Sequence, residues 1–210
     1  DRPIAVGLML GEVAKSDLVC TSGAQTGDHL ILTKGIAVEG TAILALEMGD
    51  ALVSRLGPEF VSRARRFLRE PGISVVREAQ IMCQVGRPHA MHDPTEGGLA
   101  TGLWELAIAS GKGLVVEASK IHCFPETAAA CEALGLDPLG LIASGALLVA
   151  VAPGESALML AALQAAGIEA SVIGQVVEGP PAVEILAEGG QRPMPTFERD
   201  ELARVFAGVV

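Results

Sequence analysis

The chain has 210 residues, enough for one large or two small domains, and carries 25 acidic against 15 basic side chains, a formal net charge of −10 with a sequence pI of about 4.8. That balance excludes the broad basic face that nucleic-acid binding requires, and leaves room only for a local anion site built from backbone amides and a few lysines. Half the residues are hydrophobic, 3% are aromatic and there is no tyrosine, so the core is an aliphatic one of Leu, Val, Ile and Ala.

The longest uncharged run, residues 139–154, is too short and too interrupted by glycine to span a membrane. The start shows no basic and apolar regions of a secretory signal. Cys20, Cys83, Cys123 and Cys131 form no CxxC pair and no zinc spacing. They read as reduced, mostly buried thiols, which fits a cytoplasmic protein. A strand-like run at residues 3–13 opens the chain with almost no lead-in, and a mean hydropathy of +0.46 is high for a free-standing acidic domain. Both predict a piece of a longer polypeptide whose neighbouring part covers one face.

In chain order, residues 4–13 and 18–22 predict two strands, 23–28 a loop, and 29–33 a strand bounded by Gly-Asp and Lys-Gly. Residues 38–56 predict a helix ended by Gly57-Pro58, and 59–69 a second helix. The second carries the basic patch of Arg63, Arg65, Arg66 and Arg69, which reads as a solvated face. Residues 74–85 predict a helix and 89–92 a short buried strand. Leu99, Leu103 and Leu106 then share one helix face, with Trp104 off that stripe. Strands are expected at 113–118, 146–152, 170–177 and 182–187, with helices at 125–134, 153–166 and 198–206. The run at 146–152 is apolar throughout, as in a central strand buried on both faces. Alternating elements point to an α/β (α+β) fold, a mixed β-sheet layered with helices, in a single domain over residues 1–210. Consecutive strands near both chain ends point to antiparallel neighbours.

Two stretches invite chemistry. In Lys34-Gly35-Ile36-Ala37-Val38-Glu39-Gly40-Thr41 the glycines have P-loop spacing, but Thr41 stands where the P-loop lysine is required, which argues against that motif. A strand-to-helix turn that receives an anion, with Lys34 supplying charge, stands beside a plain tight connection. In the second stretch, Asp93-Pro94-Thr95-Glu96 reads as a helix cap with Pro at the first helical position and Glu reaching back. If Thr95 caps instead, Gly97 and Gly98 lie in the first turn with their amides facing outward, as an anionic group would need. His89 and His92 point to opposite faces of a strand and cannot share a metal. Asp93 and Glu96 are two carboxylates, too few to specify Mg²⁺. There is no GxSxG and no cysteine in an electropositive setting.

These stretches carry a family likeness. Gly27-Asp28 through Lys34-Gly35, followed by Glu39-Gly40-Thr41, resembles the segment that opens the C-terminal domain of the aminoimidazole ribonucleotide (AIR) synthase superfamily. Residues 92–99 resemble its second glycine motif, and residues 4–13 the last strand of its N-terminal domain. Residues 135–139 and 173–176 are similar to the branch of hydrogenase maturation factors typified by HypE. The resemblance implies an α-β-α domain packed against an N-terminal nucleotide-binding domain of the same polypeptide. It implies ATP-dependent activation of an amide or carbonyl oxygen that leaves as phosphate, and in HypE-like members dehydration of a carbamoyl thioester to a cyanide group. Lys34, Gly35, Gly40 and Thr41 would line one side of the interdomain cleft, and Asp93, Thr95, Gly97 and Gly98 the other, with Glu96 close by. ATP and Mg²⁺ would be held mainly by the N-terminal domain, so this part alone is expected to be catalytically incomplete. The full-length form is expected to be a homodimer with a protein partner in a maturation pathway, without nucleic acid or membrane. Two departures stand out: the chain ends without the substrate-carrying cysteine of that branch, and Ser144 replaces an acidic residue before Gly145. They keep open a related enzyme with another substrate, and a non-catalytic binding or assembly module of the same fold.

Overall fold

The computed structural model describes residues 6–208. Seven strands, β1 (His29–Thr33), β2 (Ala90–His92), β3 (Gly113–Glu117), β4 (Leu148–Val151), β5 (Ala170–Val177), β6 (Ala182–Ala187) and β7 (Gly190–Pro193), form one sheet. Its order is β2-β4-β1-β5-β3-β6-β7. Neighbours are antiparallel except β3 and β6, which are parallel. Side chains alternate across the sheet, so each strand feeds two cores. Leu30 and Leu32 of β1 and Leu148 and Ala150 of β4 face α5 (Gly98–Ser110), which contributes Leu99, Leu103 and Leu106. Ile31, Val149 and Val151 point the other way, onto Met82 of α4 (Val76–Val85) and Met159 and Leu163 of α7 (Pro153–Ala165). The three leucines of α5 are fully buried, each contributing on the order of 2 kcal/mol of hydrophobic stabilisation.

A third core lies beside the sheet among helices. It joins α1 (Val38–Glu47), α2 (Gly49–Leu56), α3 (Pro58–Arg65), α6 (Pro125–Leu134) and α8 (Glu201–Phe206) through Leu44, Leu52, Val61, Leu134 and Val205. The expected α/β layering is therefore present, and β1, β5, β6 and α6 have the expected bounds. The all-apolar run at 146–152 forms β4, whose four residues are all buried, although it lies second from the edge of the sheet.

Several elements differ from expectation. The helix foreseen at 38–56 breaks at Met48, where α1 ends and α2 begins. Arg65 explains the break: its Nε donates to the Ala45 carbonyl at 2.9 Å, and a Cβ on Gly49 would lie 2.6 Å from its Nη2. Arg65 makes this contact while staying exposed, as do Arg66, Arg69 and Arg63, the last paired with Glu126 at 3.0 Å, so the basic patch is the solvated face expected. Residues 66–68 tighten into a 3-10 turn instead of prolonging α3. Of the strand expected at 4–13, residues 4 and 5 lie outside the described residues, and 6–13 have no regular structure. Residues 18–22 likewise form no strand, and short 3-10 turns flank 18–20. A strand needs a ladder partner, and no strand of the described residues pairs with them; Thr21 reaches β2 only through its side chain, Oγ1 donating to Met91 O at 3.1 Å. The edge strand β7 carries no apolar alternation and was not foreseen. The cysteines are less buried than expected: Cys131 is buried, Cys123 half-buried, and Cys20 and Cys83 exposed. Burial pushes the Cys131 thiol up to about 12. Among the described residues no helix is long and apolar enough to cross a membrane.

Candidate functional site

The sheet register gathers both glycine stretches at one end. Thr33 at the end of β1 lies opposite Ala170 at the start of β5, and His92 at the end of β2 lies opposite Leu148 at the start of β4. The chain therefore leaves β1 and β2 at the same end of the sheet, on either side of the place where it enters β4. Residues 139–144, which lead into β4, run between the two stretches and bond to both. Gly40 N donates to Ile142 O at 3.2 Å and Glu39 N to Ser144 O at 3.2 Å, while Ala143 N donates to Thr95 O at 3.2 Å. Seen from the sequence these are three separate segments. The structure makes them one layer.

The first stretch is interior. Lys34 adopts a left-handed conformation (φ 56°) and is only 7% exposed. Its ammonium lies 2.8 Å from Glu78 Oε1 and donates to Gly72 O at 3.0 Å and Ser74 O at 2.8 Å. All three protons have partners. Gly35 is covered by His122 and Phe124, whose atoms would lie 2.7 Å from an added Cβ. Gly40 lets α1 approach residues 141–142, where a Cβ would meet Leu141 Cγ at 2.5 Å. Thr41 is fully buried, donating to Ala37 O and sharing a 2.7 Å hydrogen bond with Thr127.

The second stretch shows the polar residues to solvent and hides the glycines. Asp93, Thr95 and Glu96 are exposed, and Gly97 and Gly98 are buried. Neither Asp93 nor Thr95 caps α5. Gly97 is its N-cap residue, with φ 76° and no side-chain cap, and Gly98 follows at φ 66°. Two left-handed residues in succession set a tight turn where the capping box was expected, and only glycine adopts it without strain. The close approach that Gly98 permits is to the chain's own backbone: a Cβ there would lie 2.3 Å from Leu139 O and 2.8 Å from Leu141 O.

The amide at the head of this turn already has a carboxylate. Gly97 N donates to Asp200 Oδ2 at 2.7 Å, while Asp200 Oδ1 accepts from Leu202 N at 2.7 Å and so caps α8. Burial pushes the Asp200 carboxyl up; the Gly97, Leu202 and Ile142 amides pull it down, and Glu96 adds a smaller upward push. Sequence reading missed this residue because it began the last helix at residue 198; an aspartate directly before Glu-Leu-Ala is itself an N-cap signal.

A cleft of 460 Å³ opens over the Lys34–Glu78 pair, with Ser74, Arg77 and Phe124 in its walls. Beside it lies a larger groove of 1150 Å³, lined by Lys120, His122, Glu169 and Ser171 among others and by none of the motif residues. His89 and His92 serve different carboxylates, Asp28 at 2.8 Å and Glu105 at 2.7 Å. Among the described residues no group of three or more His, Cys, Asp or Glu side chains is placed to hold a metal. Nor do these turns form a phosphate cradle. The amides of Gly40, Gly97 and Gly98 and the Lys34 ammonium all bond within the chain. What the site offers outward is an acidic and hydroxyl-bearing edge: Asp93, Thr95 and Glu96, with the partly exposed Glu39 and Ser144 next to it.

Comparison with known proteins places this geometry. Residues 25–186 match the family described as AIR synthase related protein, C-terminal domain. The carbamoyl dehydratase HypE of Rhodobacter capsulatus is 41% identical over 199 residues, 93% of this chain and 52% of that protein. The crystal structure of E. coli HypE, a hydrogenase maturation protein, superposes with a TM-score of 0.72 at 25% identity, covering 90% of this chain and 55% of that one. A HypE structure in complex with ATP shares the fold with a TM-score of 0.69 at 24% identity, over 91% of this chain and 57% of that one. The chain thus spans about half the length of the curated relatives it matches. It belongs to the AIR synthase-related family, of which it carries the C-terminal domain.

Proposed function

We propose that this chain is the C-terminal part of an ATP-dependent, HypE-like enzyme that activates an amide or carbonyl oxygen, as in carbamoyl dehydration during hydrogenase maturation. The observation that carries the reading is the meeting of both glycine stretches on residues 139–144, through Gly40 N to Ile142 O and Ala143 N to Thr95 O. This arrangement turns Asp93, Thr95 and Glu96 outward from one rigid edge, as a wall facing a ligand held elsewhere would require. Kinship with HypE proteins and with a HypE–ATP structure supports ATP as the nucleotide. Since the amides and Lys34 are bonded within the chain, ATP and Mg²⁺ are held chiefly by a preceding nucleotide-binding domain. A homodimeric full-length form in the cytoplasm, with a protein partner of the maturation pathway, completes the reading.

Calorimetric titration of ATP-Mg²⁺ into the full-length protein, with and without Asp93→Asn, tests it. Asp93 is exposed, so the variant folds normally. The expected result is binding by the wild type and loss of ATP-dependent turnover in the variant; unchanged affinity and turnover would remove Asp93 from the site. A second reading, a non-catalytic assembly module, is favoured by the internal engagement of Lys34 and Gly97. It predicts ATP-independent binding to a protein partner and no turnover from the full-length wild type.

A further inference from the structure

Asp200 is a half-buried carboxylate that the proposed function leaves unused. This carboxylate lies 103 residues from Gly97 in sequence. Its side chain bonds both the start of α5 and the start of α8. Its two oxygens divide the work, Oδ2 accepting from Gly97 N and Oδ1 from Leu202 N, each at 2.7 Å. The Ile142 amide lies close enough to pull its pKa down, which brings in the segment that joins the two glycine stretches. Three residues earlier, the Phe197 ring lies against Gly140, where an added Cβ would be 2.5 Å from its Cδ1 and Cε1. The run from Phe197 to Leu202 is therefore fastened to residues 139–144 by an aromatic contact and to the α5 turn by a charge-assisted hydrogen bond.

We propose that Asp200 is a positioning residue of the candidate site: its carboxylate holds the 93–98 turn, and with it Asp93, Thr95 and Glu96, in register with residues 139–144. The inference rests on the reading given under the proposed function. Gly97 N belongs to no ladder and to no helical hydrogen bond, so without Asp200 this buried amide is left unpaired and the turn relaxes to reach water. An asparagine offers one acceptor oxygen where the carboxylate offers two, and so cannot serve Gly97 and Leu202 in the same way. Asp200 touches no substrate; it acts through Gly97.

The test uses the full-length protein as wild type, Asp200→Asn and Asp200→Ala, with Phe197→Ala to loosen the same segment without removing the carboxylate. Two readouts are taken: amide hydrogen exchange in peptides covering 93–99 and 139–144, and ATP-dependent turnover split into kcat and KM. In Asp200→Ala, exchange in both peptides should rise about 10-fold or more, the factor that loss of one charge-assisted hydrogen bond carries. The kcat should fall by a similar factor with KM for ATP unchanged, and Asp200→Asn should lie between. Phe197→Ala should speed exchange in 139–144 more than in 93–99. Exchange at wild-type rates in Asp200→Ala, or faster exchange with kcat unaltered, overturns the assignment. If Asp200→Ala does not fold, Asp200→Asn decides by the same two measures. A wild type that binds no ATP and shows no turnover counts against the proposed function, and the exchange measurement still decides whether Asp200 holds the turn.

Discussion

The Lys34 ammonium and the Glu78 carboxylate lie 2.8 Å apart with 7% and 4% of their side chains exposed. Such a pair is costly to desolvate and costlier to break, because one partner removed leaves the other buried and uncompensated. Lys34 here has a structural task that its place in a glycine-rich turn does not announce. It ties the end of β1 to the loop at Gly72 and Ser74 and to α4 through Glu78.

Lys34→Ala should accordingly destabilise the chain by about 3–5 kcal/mol in urea unfolding. The double variant Lys34→Met, Glu78→Leu should recover much of that loss, since two apolar groups of similar shape replace two charges. A single-variant loss below about 1 kcal/mol, the range of exposed pairs, would show that Lys34 is free in solution and available to a ligand.

The glycines of the second motif make a separate prediction, because Gly98 and Gly135 share nearly the same backbone angle, φ 66° and 65°, in different surroundings. Around Gly135 an added Cβ meets nothing within 4 Å, whereas at Gly98 it meets Leu139 O at 2.3 Å. Gly135→Ala should cost about 1–2 kcal/mol, the left-handed penalty alone. Gly98→Ala should cost clearly more, because backbone must move, and it should do so whether or not any ligand is present. Equal losses in thermal unfolding would mean that residues 139–141 yield freely. The case for Gly98 as a packing glycine would then fail.

The parts legible from sequence are those with local punctuation. Helix α6 runs from Pro125 to a left-handed Gly135, and β5 and β6 are separated by Gly179-Pro180-Pro181; these bounds follow from residues within the element itself. The break at Met48 is marked locally only by Gly49, and the Arg65 side chain that packs on it reaches over from α3. The same holds at the site. Both turns are marked by their glycines, but the carbonyls of Leu139 and Leu141 that make Gly98 necessary lie 41 and 43 residues away. Asp200 is farther still. Residues 6–13 show the converse: Val6, Leu8, Met9 and Leu10 have the composition of a strand, but all stand more than four-fifths exposed, because composition supplies no ladder partner.

The pH dependence of stability gives the last prediction. Burial raises the Asp200 carboxyl above its ordinary value of 3.8 more strongly than the Gly97, Leu202 and Ile142 amides lower it. In the window just above 3.8 the folded chain therefore holds more protons at this site than the unfolded chain. Stability changes with pH as the protons bound by the unfolded state minus those bound by the folded one, and here that difference is negative. The contribution of Asp200 is fully present below the unfolded value and is lost as pH rises through the folded one. One proton limits the slope to about 1.4 kcal/mol per pH unit. Urea unfolding of wild type and Asp200→Asn at closely spaced pH values between about 4 and 7 isolates the effect, because the variant cannot titrate there. The wild type should lose stability relative to Asp200→Asn as pH rises through the lower part of that range, and the difference should then level off. A relative gain would mean that the three amides outweigh burial. The carboxylate would then be held ionised by its hydrogen bonds, and ionisation of Asp200 would strengthen the fold at neutral pH instead of weakening it.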